Sequence, residues 1–247
     1  MLKEKRFVLP TVTSNMWHPV PEIRERWLRK YGRDRFTFEE ALHAQSFPEW
    51  WEFPKAKSRK WKWLAEAFPP KVAEHLFSRY VTGSGLTLLD LFAGIGGWSL
   101  GAVWSGKFRK LVMIEKDRMK CDYLTRNFSK LGVDFSVICE DVRNIDFSNI
   151  DVDVIVSSPP CEDLSMLRMF SKGIIDKYKA KGTVPLTIYT LELVSRIKPK
   201  VGFYENVYRR KLRELLKRYG WTVFRFDMSS IIPQKRVRLI GVCFLFV

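Results

Sequence analysis

A cysteine, a glutamate and two arginines stand where covalent catalysis could use them. Ser158-Pro159-Pro160-Cys161 follows a short apolar run at 152–156, and the rigid Pro-Pro pair would project the Cys161 thiol from a strand end. Glu205-Asn206-Val207 closes a second run at 201–204, and Gln234-Lys235-Arg236-Val237-Arg238 leads into a third with Arg236 and Arg238 on one face. Brought together, these groups would supply an attacking thiolate, a proton donor and cations to steady developing negative charge. A cysteine alone is more often a small buried apolar residue; it is the three sites in combination that point to chemistry.

A second set could hold a nucleotide-like ligand. Asp90-Leu91-Phe92-Ala93-Gly94-Ile95-Gly96-Gly97 ends a strand-like run at 86–92 and opens a helical stretch, and glycines there allow a tight turn and close backbone approach to a ligand. Glu115 follows the run 111–114, where a carboxylate can hold ribose hydroxyls. Asp141, with Val142 beside it, follows the run 135–139, where one can reach an adenine amino group. Singly, each carboxylate serves as readily to cap a helix, and the glycines alone leave a dinucleotide-binding oxidoreductase open.

The elements that must position these residues alternate in type from Leu86 onward. Strands are expected at 86–92, 111–114, 135–139, 152–156 and 201–204, each apolar enough for burial on both faces. Helical periodicity fills 118–130, 186–197 and 209–219, so a wound α/β sheet with parallel strands is expected. Runs at 221–227 and 237–246 read as a closing hairpin-like pair at one sheet edge. The first 85 residues differ in texture. Helices are expected at 36–46 and 71–80, a Trp-rich, Pro-punctuated stretch at 47–62, and a Thr82-Gly83-Ser84-Gly85 linker into the first strand.

Composition bounds the partners. The 247 residues carry 43 Lys and Arg against 27 Asp and Glu, a formal charge of +16 that suits a polyanion. Hydrophobic residues make up 46%, enough for a substantial core. No apolar run reaches the roughly 20 residues of a spanning helix, and the first ten residues lack a signal-peptide core, so a soluble, intracellular protein without membrane contact is expected. Cys121, Cys139, Cys161 and Cys243 lie at wide, irregular spacings, so neither a metal site nor a disulfide is expected. Glutamine occurs only at Gln45 and Gln234, a scarcity that leans toward a thermophilic source.

In these motifs the chain resembles the cytosine-C5 DNA methyltransferases. Asp90 to Gly97 is similar to the family's cofactor motif, Pro159-Pro160-Cys161 to its catalytic motif, Glu205-Asn206-Val207 to its acid motif and Gln234-x-Arg236-x-Arg238 to its arginine motif, in the family's order. The resemblance implies an α/β, Rossmann-like S-adenosylmethionine-dependent methyltransferase fold, its mostly parallel seven-stranded sheet flanked by helices on both faces. It implies S-adenosylmethionine held by Asp90, Phe92, Ala93, Gly94, Gly96, Gly97, Glu115, Asp141, Val142 and Pro159, with double-stranded DNA as substrate. Cys161 would attack C6 of a flipped-out cytosine, Glu205 would protonate or hydrogen-bond N3, and Arg236 and Arg238 would steady base and thiolate. Asn206 and Gln234 would be structural. The stretch 162–184, with Ser165, Arg168 and Lys172, resembles the loop that closes over the flipped base.

Two further motifs of the family usually follow a target-recognition region near the C-terminus. Here Leu9-Pro10-Thr11-Val12-Thr13, Phe36 to Ala41 and Gln45 to Pro48 resemble the first, and Trp63 to Pro70 the second. The resemblance thus implies a circular permutation: a segment 1–85 packed on a catalytic core 86–247, as one compact domain without a target-recognition domain. Expected partners are duplex DNA and a separate recognition subunit, in the nucleoid-associated cytoplasm of a prokaryotic, archaeal or viral system, restriction-linked or solitary. Departures from the pattern are Ala65-Glu66-Ala67 where Gly-Asn-Ser is usual, Lys116 where an aromatic could stack on adenine, and Glu162-Asp163 where Gln is common. Alternatives are a tRNA cytosine-C5 methyltransferase and a non-catalytic subunit that binds cofactor or DNA.

Overall fold

The computed structural model describes residues 8–13, 25–26, 28–30, 32, 35–160 and 183–245. Its frame is a seven-stranded sheet of β1 (Leu86–Asp90), β2 (Phe108–Ile114), β3 (Asp134–Ile138), β4 (Val154–Ser157), β5 (Val201–Asn206), β6 (Thr222–Asp227) and β7 (Val237–Phe244), in the order β3-β2-β1-β4-β5-β7-β6. The first five strands run parallel, while β7 lies antiparallel between β5 and β6. Every residue of β1, β4 and β5 is buried, as their largely apolar sequences require at the centre of a two-sided sheet. Edge strands β3 and β6 expose part of their length.

Among the described residues, the helices that accompany the sheet include α1 (Phe38–Ala44), α2 (Lys57–Glu66), α3 (Pro70–Tyr80), α4 (Gly97–Ser105), α5 (Arg118–Phe128), α6 (Thr183–Ile197) and α7 (Arg210–Arg218). Strand residues alternate between two cores. On one face Leu88, Val154 and Phe203 meet Phe77 of α3, Leu100 of α4 and Phe128 of α5. On the other, Leu89, Ile155 and Tyr204 meet Leu191 of α6 and Leu212 and Leu216 of α7. Helices on both faces of a mostly parallel sheet match the expected fold class.

Residues 35–85 are built into this frame. Thr37 and Glu40 form a reciprocal capping box that starts α1, with Glu40 N donating to Thr37 Oγ1 at 3.1 Å and Thr37 N to Glu40 Oε2 at 2.8 Å. Helix α3 begins with Pro70 and lies so close to α4 that a Cβ on Gly97 would collide with the Phe68 carbonyl, and one on Gly101 would stand 2.5 Å from Ala73 Cβ. The Phe68 ring stacks on Trp98, centroids 3.9 Å apart. From α3 the chain passes through Gly83 and Gly85, both at positive φ, into β1.

The chain's two glutamines join the ends of the sequence. Both are fully buried, and Gln234 Nε2 donates to Gln45 Oε1 at 3.1 Å. Gln45 Nε2 donates to the Leu64 carbonyl at 2.6 Å, and Gln234 Oε1 accepts from Val12 N at 3.1 Å. Beside them Leu9 pairs in parallel with Gln234. A buried amide satisfied on both ends is costly to break, because each loss strands a desolvated partner.

Two expectations need correction. The Trp-rich stretch is helical from Lys57 onward: α2 has no side-chain cap and four cations among ten residues, and what holds it is the burial of Trp61, Trp63 and Leu64. Cys121 and Cys139 form a disulfide with Cα atoms 6.0 Å apart, where none was expected. Their 18-residue separation carries no motif; the pairing arises because α5 packs back beside β3, which ends at Ile138. Among the described residues, no helix is long and apolar enough to cross a membrane, and no group of three or more His, Cys, Asp or Glu side chains could hold a metal ion.

Candidate active site

Parallel strands β1, β4 and β5 deliver their successor loops to one edge of the sheet, and Phe92, Gly94, Pro159, Glu205 and Asn206 lie at or just past those strand ends. The loop after β1 is lashed to its neighbours, with Leu91 N donating to the Val156 carbonyl at 3.0 Å and Ala93 N to the Ile114 carbonyl at 2.9 Å. Gly96 caps α4 at φ 87°, and a Cβ there would press to 2.6 Å from the Phe128 ring, so this position requires glycine on two counts. Gly94, at φ 59°, faces open space. Its amide donates to Glu115 Oε2 at 2.9 Å, while Asp117 N donates to Glu115 Oε1 at 2.9 Å, so β1, β2 and α5 converge on one half-buried carboxylate.

Asp90 lies beneath that loop, fully buried, with Oδ2 accepting from the Ser99 hydroxyl at 2.8 Å. Its other oxygen makes no well-formed hydrogen bond. Burial pushes this carboxyl up to about 7, against the opposing pull of Ser99 and the Phe92 amide, and nearby Glu115 adds to the rise. The folded state therefore holds the Asp90 proton more tightly than the unfolded chain does, so its contribution is full below about pH 4 and fades as pH rises through 7. We expect Asp90→Asn, which keeps the acceptor toward Ser99, to gain on the wild type in thermal melts between pH 5 and pH 8, by about 1.4 kcal/mol per pH unit at the steepest. Parallel pH profiles would refute this.

Asp141 caps a short 3-10 turn (Val142–Asn144), and both its oxygens accept from Arg143, at 2.8 and 2.7 Å. The Arg143 guanidinium holds this carboxyl below the usual aspartate range. In this structure the Asp141 carboxylate is thus engaged with its neighbour at the place where an adenine contact was expected. Val142 is buried, and its carbonyl accepts from the Tyr189 hydroxyl at 3.0 Å.

The second cluster spans the ends of β4, β5 and β7. Glu205 is buried and forms an ion pair with Arg238, Nε to Oε1 at 3.2 Å. Asn206 Nδ2 donates to the Pro159 carbonyl at 3.0 Å, which ties the end of β5 to the segment two residues before Cys161. Ser158 Oγ accepts from Trp98 Nε1 at 2.8 Å, so helix α4, which follows the glycine loop, also braces this segment. Arg236, the companion of Arg238 in the sequence, points elsewhere: buried, it donates from Nη2 to the carbonyls of Ala65 at 3.0 Å and Ala67 at 3.3 Å. Cys161, Ser165, Arg168 and Lys172 lie outside the described residues.

The structure brings together Gly94 with Glu115, Pro159 with Asn206, and Glu205 with Arg238. It adds residues that the motifs did not single out. Trp98 and Ser99 are one and two residues past the glycines, and Arg143 was legible as an ion-pair partner two residues from Asp141. Tyr204 carries no such signal: burial pushes its hydroxyl above the ordinary tyrosine range, and the protonated group shares a 2.7 Å hydrogen bond with Thr187 Oγ1.

Comparisons with known proteins bear on this arrangement. The family model for C-5 cytosine-specific DNA methylases matches residues 86–224. The Type II methyltransferase M.PspPI of Psychrobacter sp. is 30% identical over 172 residues, which cover 62% of this chain and 38% of that protein. The DNA (cytosine-5-)-methyltransferase M.ApeKI of Aeropyrum pernix is 31% identical over 150 residues, covering 53% and 29%. The chain thus spans less than half the length of these curated relatives. Among solved structures, a candidate RNA methyltransferase of Pyrococcus horikoshii shares the fold, with a TM-score of 0.53 and 18% identity over 85% of this chain and 98% of that one. Because the matched stretch takes in the glycine loop, Pro159-Pro160-Cys161 and Glu205-Asn206-Val207 and covers more than half of the sequence, the chain belongs to the C-5 cytosine-specific DNA methylase family.

Proposed function

We propose that this chain is the catalytic part of a DNA cytosine-C5 methyltransferase that acts on a cytosine flipped out of duplex DNA. The observation that carries this reading is the Asn206 bond to the Pro159 carbonyl, which puts the segment entering Cys161 at the strand edge that holds the Glu205–Arg238 pair. Membership of the family and the charge of +16 support it.

The cofactor residues fit S-adenosylmethionine: Glu115 offers carboxylate oxygens of the kind that ribose hydroxyls seek, beside the open space at Gly94. When bound, S-adenosylmethionine supplies an electrophilic methyl group. Phe92, Ala93, Gly96, Gly97, Val142 and Pro159 would border the bound cofactor, and Asp141 would offer a carboxylate to an adenine amino group in competition with Arg143. The Cys161 thiolate adds to C6 while Glu205, after taking up a proton from solvent in exchange for its ion pair with Arg238, donates that proton or a hydrogen bond at N3, so the electron pair pushed onto the ring reaches C5. C5 takes the methyl group, then loses its proton, and elimination of Cys161 restores the ring. Arg236 serves this site indirectly, by fixing the strand entry that carries Arg238 against Ala65 and Ala67.

We further read residues 1–85 as the permuted counterpart of the family's C-terminal motifs. Support comes from the continuous passage of α3 into β1, the tight seat of α3 on Gly97 and Gly101, and the Gln45–Gln234 bond. The test is to incubate the protein with methyl-tritiated S-adenosylmethionine and either duplex DNA or transfer RNA, then digest to nucleosides. Label in 5-methyl-2'-deoxycytidine is the expected outcome; label confined to the RNA, or on an exocyclic amine, refutes the reading.

A further inference from the structure

The last register pair of the β5–β7 ladder is Asn206 with Leu239, so the chain leaving β5 and the chain entering β7 meet at the edge that carries Glu205 and Arg238. The outgoing segment 207–213 holds Arg209, Arg210, Lys211 and Arg213, the incoming segment 232–238 holds Lys235, Arg236 and Arg238, and neither contains an acid. Arg236 and Arg238 are engaged within the protein. Arg209, Arg210, Lys211 and Lys235 are exposed. Arg210 is answered by Glu214 at 3.1 Å, and Arg209 makes one long hydrogen bond, 3.4 Å, to the adjacent Tyr208 carbonyl.

Apart from the Arg210–Glu214 pair within α7, these cations do nothing for the helix that carries them. Arg209 is the N-cap of α7 without a side-chain cap bond, Arg210 and Lys211 follow, and the first turn has no acid. Positive charge at the amino end opposes the helix dipole, whereas Lys217 and Arg218 in the last turn are favoured by it. Arg209 and Arg213 also stand one turn apart as like charges. With Leu212 and Leu216 fully buried, the helix cannot roll to relieve either effect. An exposed cationic cluster that works against its own fold beside a reactive edge is explained by an anionic partner.

We infer that Arg209 and Lys211 hold backbone phosphates of duplex DNA beside the target nucleotide. The inference rests on the DNA methyltransferase reading above. Phosphate contacts fix register on the duplex without reading its sequence. This cluster therefore sets where the strand lies relative to Glu205 and adds nothing to the choice of target.

The test is to titrate the full chain with a short fluorescent duplex over a range of salt concentrations, comparing R209Q/K211Q with K217Q/R218Q, which removes the same charge from the other end of α7. In R209Q/K211Q the slope of log Kd against log salt falls by about 1.8, which is about 0.9 for each phosphate no longer neutralised, and it falls equally on duplexes of unrelated sequence. K217Q/R218Q keeps the wild-type slope, and both variants bind S-adenosylmethionine as the wild type does. An unchanged slope in R209Q/K211Q, equal losses in the two variants, or a loss confined to one sequence overturns the inference. A wild-type chain with no duplex affinity at low salt overturns the methyltransferase reading along with it, whereas an unchanged slope against a wild type that binds overturns this inference alone.

Discussion

If the proposed reading holds, Glu205→Gln is expected to lower methyl transfer to cytosine by about 10²- to 10⁴-fold while leaving the affinity for S-adenosylmethionine unchanged. Glutamine keeps the shape and one acceptor of the carboxyl, so β5 and its ladder with β7 stay intact, but it cannot pass a proton to N3. Removing the charge also leaves Arg238, which is mostly buried, without its counter-ion at 3.2 Å, and a loss of stability of about 1 to 3 kcal/mol accompanies the loss of rate. The two effects separate experimentally. Single-turnover rates report the acid, chemical denaturation reports the ion pair, and equilibrium cofactor binding reports the crevice at β1 and β2. A variant with wild-type turnover would remove Glu205 from the chemistry.

The largest expected effect on stability comes from a single methyl group. Gly97→Ala destabilises the protein by about 3 kcal/mol or more, because the new Cβ meets the Phe68 carbonyl, a backbone atom that no rotamer change can move aside. Separating α3 from α4 would relieve the clash, but at the expense of the Phe68–Trp98 stack and the apolar seam beneath it. Gly106→Ala is the useful contrast. Gly106 also has a left-handed backbone, φ 66°, but nothing lies within 4 Å of a Cβ there, so only the conformational cost of about 1 kcal/mol applies. Urea denaturation of both variants checks the difference. Near-equal values would show that the N-terminal segment is not seated on the core as described.

Much of this architecture was legible in the sequence, for identifiable reasons. Central strands declare themselves because two-sided burial demands largely apolar stretches, as at Val154–Ser157 and at the start of Val201–Asn206. The glycine loop declares itself because Gly96 is held to glycine by both its φ and the Phe128 ring. What stayed hidden depends on tertiary placement. Spacing gave Arg236 and Arg238 one face and similar roles, yet Arg236 lies before β7 begins and turns into the carbonyls of Ala65 and Ala67, some 170 residues away in the chain. The Cys121–Cys139 bond and the Gln45–Gln234 bond likewise join residues that only packing brings together. Helix α2 was obscured by its uncapped, strongly basic start, since its stability comes from burial of Trp61 and Trp63 and not from local signals.

The central claim is that Cys161 forms a covalent bond to the cytosine it methylates. It is tested most directly by incubating wild type and Cys161→Ser with S-adenosylmethionine and a duplex substituted with 5-fluorocytosine, then resolving the products on a denaturing gel. Fluorine at C5 cannot leave as the proton does, so elimination of the thiol is blocked. A cofactor-dependent protein–DNA adduct is predicted with the wild type and none with Cys161→Ser. An adduct that persists in Cys161→Ser, or a wild type that methylates ordinary cytosine yet never traps on the fluorinated duplex, would contradict the claim.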